Sequence, residues 1–265
     1  MYTFDYQRPA DRAAAVAAVK GAEARYLAGG QTLIQAMKLR LSQSERLVDL
    51  GGIADLKGIR LDGGNVIIGA MTPHSAVARS AEVQKAVPAL AELAGSIGDA
   101  MVRNVGTIGG SIANADPAAD YPAAVLGLNA TIQTDRRSIK GDDFFTAMYE
   151  TALEPGELIV AVSFPATPKA AYEKYKQPAS RFALVGVFVA QTAGGVRVAV
   201  TGAKSSVFRC AELEAALAKS FTAAAAKAVK LPADDMNSDL HGSAEYRAAM
   251  VSVMAARAVE QVLAR

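Results

Sequence analysis

Two Gly-Gly pairs constrain this chain more than any other feature. Gly29-Gly30 stands where the strand-like run Ala24–Ala28 gives way to a helical pattern reaching about Leu39, and Gly109-Gly110 lies in the Gly-, Asn- and Asp-rich stretch Asn104–Asp120. Glycine permits positive φ and close backbone approach, so successive N–H groups can converge on one anion. A helix N-terminus adds unpaired N–H groups and a partial positive charge. Two such loops suggest two walls around one diphosphate, and the plain alternative is a pair of ordinary turns. A long irregular stretch inside a compact domain is usually functional.

Competing nucleotide motifs fail. Asp49 lies about where a ribose-binding acid would follow a dinucleotide loop. The run Gly29-Gly30-Gln31-Thr32-Leu33-Ile34 nevertheless lacks the third glycine of G-x-G-x-x-G, and no Gly-Lys-Ser or Gly-Lys-Thr occurs. The remaining pattern is mixed. Helices are expected at Pro9–Lys20, from a Thr72-Pro73 cap to Ser80, over Pro88–Arg103 and over Tyr121–Leu128, with Thr32 able to cap the helix after the first loop. Strands are expected at Arg46–Leu50, Val66–Gly69 and Ala130–Thr134, with Asp62-Gly63-Gly64-Asn65 as a hairpin turn. Beyond Pro165-Ala166-Thr167-Pro168 come the strands Ala171–Lys176, Ala183–Thr192 and Val196–Thr201. The chain from Ser206 on reads as mostly helical, ending in Ser243–Leu263. Strands grouped before helices give an α+β chain with a boundary near residue 168.

Composition excludes several functions. The 28 basic and 26 acidic residues leave a net charge of +2, which offers nothing to a nucleic-acid backbone. Neither the charged start Met1–Arg12 nor the alanine-rich Ala215–Val229, interrupted by Lys219, Ser220 and Lys227, reads as a signal or a membrane span, so a cytoplasmic location is expected. A single cysteine, Cys210, excludes a cysteine-built iron–sulfur cluster within the chain. His74 and His241 lie far apart with no cysteines beside them, so no metal site is expected.

Longer runs carry a family resemblance. Ala28-Gly29-Gly30-Gln31-Thr32 with Met37-Lys38-Leu39-Arg40-Leu41, and Thr107 through Asp120 (TIGGSIANADPAAD), resemble the FAD-binding medium subunits of the aerobic carbon monoxide dehydrogenase and xanthine dehydrogenase family, the molybdenum hydroxylases. The resemblance continues through Asp49-Leu50, Ile53, Leu56, Gly58-Ile59, Ile68-Gly69-Ala70, Thr72 and Tyr175-Lys176-Gln177, and on to Asp239–Arg247 (DLHGSAEYR).

It implies a vanillyl-alcohol-oxidase-type (PCMH-type) FAD-binding domain in two α+β lobes over 1–168, and a smaller α+β C-terminal domain over 169–265. The cofactor would be FAD. Its pyrophosphate would lie between Ala28, Gly29, Gly30, Gln31, Thr32 and Leu33 on one side and Thr107, Ile108, Gly109, Gly110 and Ser111 on the other, with Thr72 beside them. Asp120 matches an acid at the ribose or polyol portion, and Asn114 and Asp116 fall near the same tail. Lys176 and Ile159 match positions close to the flavin ring. Thr32 stands where many relatives have Ser, and Ser111 where they have Asn. Partners implied are a [2Fe-2S] small subunit and a molybdenum-cofactor large subunit, in a dimer of heterotrimers that passes electrons to an external acceptor. Alternatives are a free-standing flavin oxidoreductase of the same fold and an assembly module without cofactor.

Overall fold

The computed structural model describes residues 1–21 and 23–265. The chain forms three packed units in sequence order. The first is small: β1 (Asp5–Gln7), α1 (Arg12–Ala18), β2 (Ala24–Leu27), α2 (Leu33–Lys38) and β3 (Arg46–Asp49). Its sheet has the order β1-β3-β2, and both neighbours run parallel to β3. The path β2-α2-β3 follows the strand–helix–strand order expected over Ala24–Leu50, but it is a parallel crossover, whereas a parallel sheet was not expected. The first glycine pair occupies its strand-to-helix turn. Helix α1 is shorter than expected because the Asp11 side chain, accepting from the Ala14 N–H at 2.8 Å, sets its start.

The second unit comprises β4 (Ile59–Asp62), β5 (Asn65–Gly69), α3 (His74–Arg79), α4 (Ala81–Ala86), α5 (Pro88–Ser96), α6 (Ala100–Val105), α7 (Ile108–Asn114), α8 (Tyr121–Gly127), β6 (Thr131–Thr134), β7 (Ser138–Lys140), the short pair β8 (Phe145–Ala147) and β9 (Glu150–Thr151), and β10 (Ile159–Pro165). Its antiparallel sheet has the order β4-β5-β10-β6-β7. Val66, Ile68, Ile132, Val162 and Phe164 bury into the helical layer with Leu90, Leu93, Ile108, Ile112 and Val125.

Three expectations change in this unit. The single helix over Pro88–Arg103 is two, because Gly98 turns back at φ +47° and Asp99 caps a new helix by accepting from the Val102 N–H. The stretch Asn104–Asp120 contains a helix, α7, capped by Thr107. The residue capping α3 is Pro73 rather than Thr72.

The third unit is the antiparallel sheet of β11 (Ala170–Lys176), β12 (Ala183–Thr192), β13 (Gly195–Thr201) and β14 (Phe208–Arg209), followed by α9 (Ala211–Lys219), α10 (Ala223–Ala228) and α11 (Ala244–Leu263). The region after Ser206 is less helical than expected, since β14 and an irregular segment from 229 to 243 intervene. Strand β12 reads as an almost unbroken apolar run because both its faces are covered. Val185, Val187 and Val189 pack towards α11, through Val251, Met254, Ala255 and Val259. Phe188 and Ala190 point the other way, into the core shared with α5 and α8. One hydrophobic core therefore joins the second unit to the third.

Candidate functional site

Tertiary packing brings the two glycine segments together. A Cβ built on Gly29 would fall 2.3 Å from the Val105 carbonyl oxygen and 2.8 Å from the Gly106 Cα, immediately before the second motif. A Cβ on Gly110 would stand 3.4 Å from that of Ala28. At Gly29 only backbone without a side chain allows the loops to meet this closely. Gly30, at φ +66°, turns the first loop into α2.

The loops differ in the donors they offer. Among the described residues, the amides of Gln31, Thr32 and Leu33 have no protein acceptor, and Gln31 and Thr32 are exposed. Thr32 makes no side-chain cap, so its hydroxyl is uncommitted. This is a set of donors suited to anionic oxygens.

The second loop uses its own amides internally, contrary to the picture of two equal N–H walls. Ile108 N–H donates to Thr72 O, Gly109 N–H to Ala70 O at 2.9 Å, Gly110 N–H to Thr107 Oγ1 at 3.1 Å and Ser111 N–H to Thr107 O. Gly109 is required for proximity, since a Cβ there would lie 2.6 Å from that of Ala70. What this loop presents is a close-packed wall with the half-buried Ser111 and Asn114 side chains on it, neither of which has a hydrogen bond among the described residues.

The other expected residues divide. Thr72 is buried behind the second loop, where its hydroxyl donates to Gly58 O and accepts from Gly58 N–H. Ile159 is a core residue of β10, one position before Val160, whose carbonyl accepts from Ala70 N–H. Asp116 folds back to accept from the Ala118 N–H at 2.9 Å. With Pro117, Tyr149, Gln177 and Phe182 it lines a cleft of about 570 Å³ that does not reach the glycine loops. Lys176 is exposed near the end of β11. Asp49, the acid a dinucleotide fold would use, is occupied by Tyr6 Oη, Arg8 and the Gly51 N–H.

Asp120 is buried, and it exposes what sequence reasoning missed. Its carboxylate accepts from Tyr172 Oη at 2.5 Å and pairs with Lys174 Nζ at 3.0 Å, and that ammonium also donates to Ser96 O. Burial pushes the Asp120 carboxyl above its ordinary range, against the pull of Lys174, the Tyr172 bond and, more weakly, Lys176. Only 2% of the Lys174 side chain is exposed, whereas Lys176, two residues on and past a register shift between Tyr175 and Lys176, reaches solvent. Sequence gives no signal to choose between them. The depth of the interface does.

His74 and Cys210 are structural. Burial, helped by Arg103, lowers His74 to about 4, so the imidazole is neutral, and its ring lies 5.3 Å from that of Tyr121. Cys210 is buried, and its thiol is pushed up to about 12 chiefly by that burial. Among the described residues no three His, Cys, Asp or Glu side chains gather as a metal site, and no helix is long and apolar enough to cross a membrane.

Known proteins agree with this architecture. The family described as the FAD binding domain in molybdopterin dehydrogenase matches residues 2–167. The carbon monoxide dehydrogenase medium chain of Hydrogenophaga pseudoflava is 38% identical, the match covering 99% of this chain and 98% of that one. The medium chain from Afipia carboxidovorans is also 38% identical, over the same shares. A solved structure of carbon monoxide dehydrogenase from Hydrogenophaga pseudoflava superposes with a TM-score of 0.90 at 37% identity, covering 99% of this chain and 98% of that chain. With the glycine cradle in place and these matches spanning essentially the whole sequence, the chain belongs to the FAD-binding medium subunits of the molybdenum hydroxylase family, flavoproteins of molybdenum-containing dehydrogenases.

Proposed function

We propose that this chain is the electron-passing subunit of a heteromeric molybdenum hydroxylase, taking electrons from a [2Fe-2S] subunit and handing them to an external acceptor. Residues 1–168 are the FAD-binding domain in this reading, and 169–265 the C-terminal domain. The observation that carries it is the meeting of the two loops, with Gly29 against Val105-Gly106 and Gly110 beside Ala28. The cradle fits a pyrophosphate. The free amides of Gln31, Thr32 and Leu33 would donate to its oxygens, with the Thr32 and Ser111 hydroxyls and Asn114 alongside. Hydrogen bonds to charged oxygens contribute about 1.5–3 kcal/mol each, so a few suffice without a lysine or arginine in either loop.

FAD, when bound, supplies the ability to take up electrons singly and release them singly or in pairs. The chain's part is to bind and orient it. Ile159 and Lys176 would lie towards the ring, the lysine setting the local charge, while Asp116 and Asp120 would lie towards the sugar and polyol. The sole cysteine is buried, which is consistent with clusters held on a separate subunit. In this reading the molybdenum cofactor is on a third subunit, and the assembly is a cytoplasmic dimer of heterotrimers.

An absorbance spectrum of the chain, purified alone and then with the two other subunits co-expressed, tests this. Flavin bands with FAD released on denaturation are expected in the complex. Colourless protein in both preparations overturns the reading in favour of an assembly module. Substrate oxidation by the isolated yellow chain would instead favour a free-standing oxidoreductase.

A further inference from the structure

The second motif is held in place by the C-terminal sheet. Thr201, fully buried on β13, has its Oγ1 within 2.8 Å of Pro117 O and 2.7 Å of Ala119 O. The Gly202 N–H donates to the same Pro117 carbonyl at 2.7 Å. One residue further, Tyr172 and Lys174 of β11 take both oxygens of Asp120. The Tyr172 phenol reaches Asp120 by crossing Gly186 of the neighbouring strand, where a Cβ would stand 2.3 Å from its oxygen. Ala170, Phe188 and Ala199 place these residues on the sheet face turned towards α5 and α8. Within Pro117–Asp120, two carbonyls and the buried carboxylate thus have their partners in residues 170–202.

We propose that Thr201, Tyr172 and Lys174 are positioning residues of the FAD site, so that residues beyond 168 hold the Pro117–Asp120 end of the cofactor motif from behind. The inference rests on the flavin reading given above. A buried carboxylate that lost its ammonium would be an uncompensated charge. The Pro117–Asp120 backbone would then move to hydrate it, and the wall carrying Ser111 and Asn114 would move too.

Full-length Lys174→Met and Thr201→Val test this, with Val187→Ala as a control. Val187 is buried on the opposite face of the same sheet, against α11, so its truncation lowers stability without touching the motif. Two readouts are taken under conditions where all variants are folded. FAD dissociation constants should rise about tenfold or more in the two test variants and stay at the wild-type value in Val187→Ala. Amide hydrogen exchange at Ala118 and Ala119 in cofactor-free protein should accelerate in the test variants only. Unchanged exchange at these amides, or affinities that follow stability equally in all three, would overturn the inference. A wild-type chain that binds no FAD in any form would defeat the flavin reading instead, and exchange at Ala118 and Ala119 would still decide whether the sheet positions the motif.

Discussion

Replacing Gly29 by alanine should separate the two loops. The added Cβ would sit 2.3 Å from the Val105 carbonyl oxygen, 2.8 Å from the Gly106 Cα and 2.9 Å from the Val105 carbonyl carbon. All three are backbone atoms, so no side chain can swing away. An ordinary carbon–oxygen contact needs roughly 1 Å more. The first loop must retreat from the α6–α7 junction by that amount, or α6 must shift. Overpacking of this kind costs about 1–3 kcal/mol. For FAD the shift withdraws one or more charged hydrogen bonds, about tenfold to a hundredfold in affinity each.

Gly95→Ala supplies the comparison. Its Cβ meets only Ala78 at 3.8 Å, inside a helix where alanine is favoured by up to about 1 kcal/mol. Urea unfolding and FAD titration should therefore show Gly29→Ala less stable and weaker in binding, and Gly95→Ala unchanged or more stable. A Gly29→Ala protein with wild-type midpoint and affinity would refute the argument that the loops are in backbone contact.

Three further outcomes follow from buried polar groups. The Glu157 side chain, with no solvent exposure, is held down to about 2 from 4.5, first by Arg137 and then by the Glu154 N–H and Thr134. A depressed carboxyl stabilises the fold above its unfolded value and loses that contribution as pH falls from about 4.5 through 2. The shift itself corresponds to at most about 3 kcal/mol. Solvent screening at the partly exposed Arg137 reduces this to about 1–2 kcal/mol. Acid unfolding of Glu157→Gln should accordingly be flatter over that window, and an unchanged profile would show that the pair adds nothing. Among the described residues the Tyr121 hydroxyl is buried with no partner, so Tyr121→Phe should match or exceed the wild type in thermal stability, by up to about 1 kcal/mol; a fall of that size would mean the hydroxyl is bonded in solution. Iodoacetamide should leave Cys210 unmodified in the native chain and label it on unfolding, whereas rapid native labelling would contradict its burial.

Local chemistry decides what is visible in the sequence alone. The Thr107–Asp120 run and the first glycine pair identify the family, because Gly29 and Gly109 stand where a Cβ would meet neighbouring backbone or Ala70, and the Thr107 hydroxyl caps the helix that follows. The mixed α+β class and the strands at Arg46–Asp49, Asn65–Gly69, Ala170–Lys176 and Ala183–Thr192 are likewise legible, since alternation and turn residues are near-neighbour properties. The caps at Asp11 and Asp99 are of the same local kind, yet the competing signals of Pro9 and of the continuous apolar pattern after Pro88 hide them.

Tertiary structure alone decides the rest. That Gly29 lies against Val105, so that one loop is a donor and the other a wall, depends on parts of the chain about seventy-six positions apart. That Lys174 rather than Lys176 reaches Asp120 depends on how deep β11 sits beneath α5 and α8. Both lysines lie on the same strand two residues apart, and only the packing and the register shift between Tyr175 and Lys176 determine which of them is excluded from water.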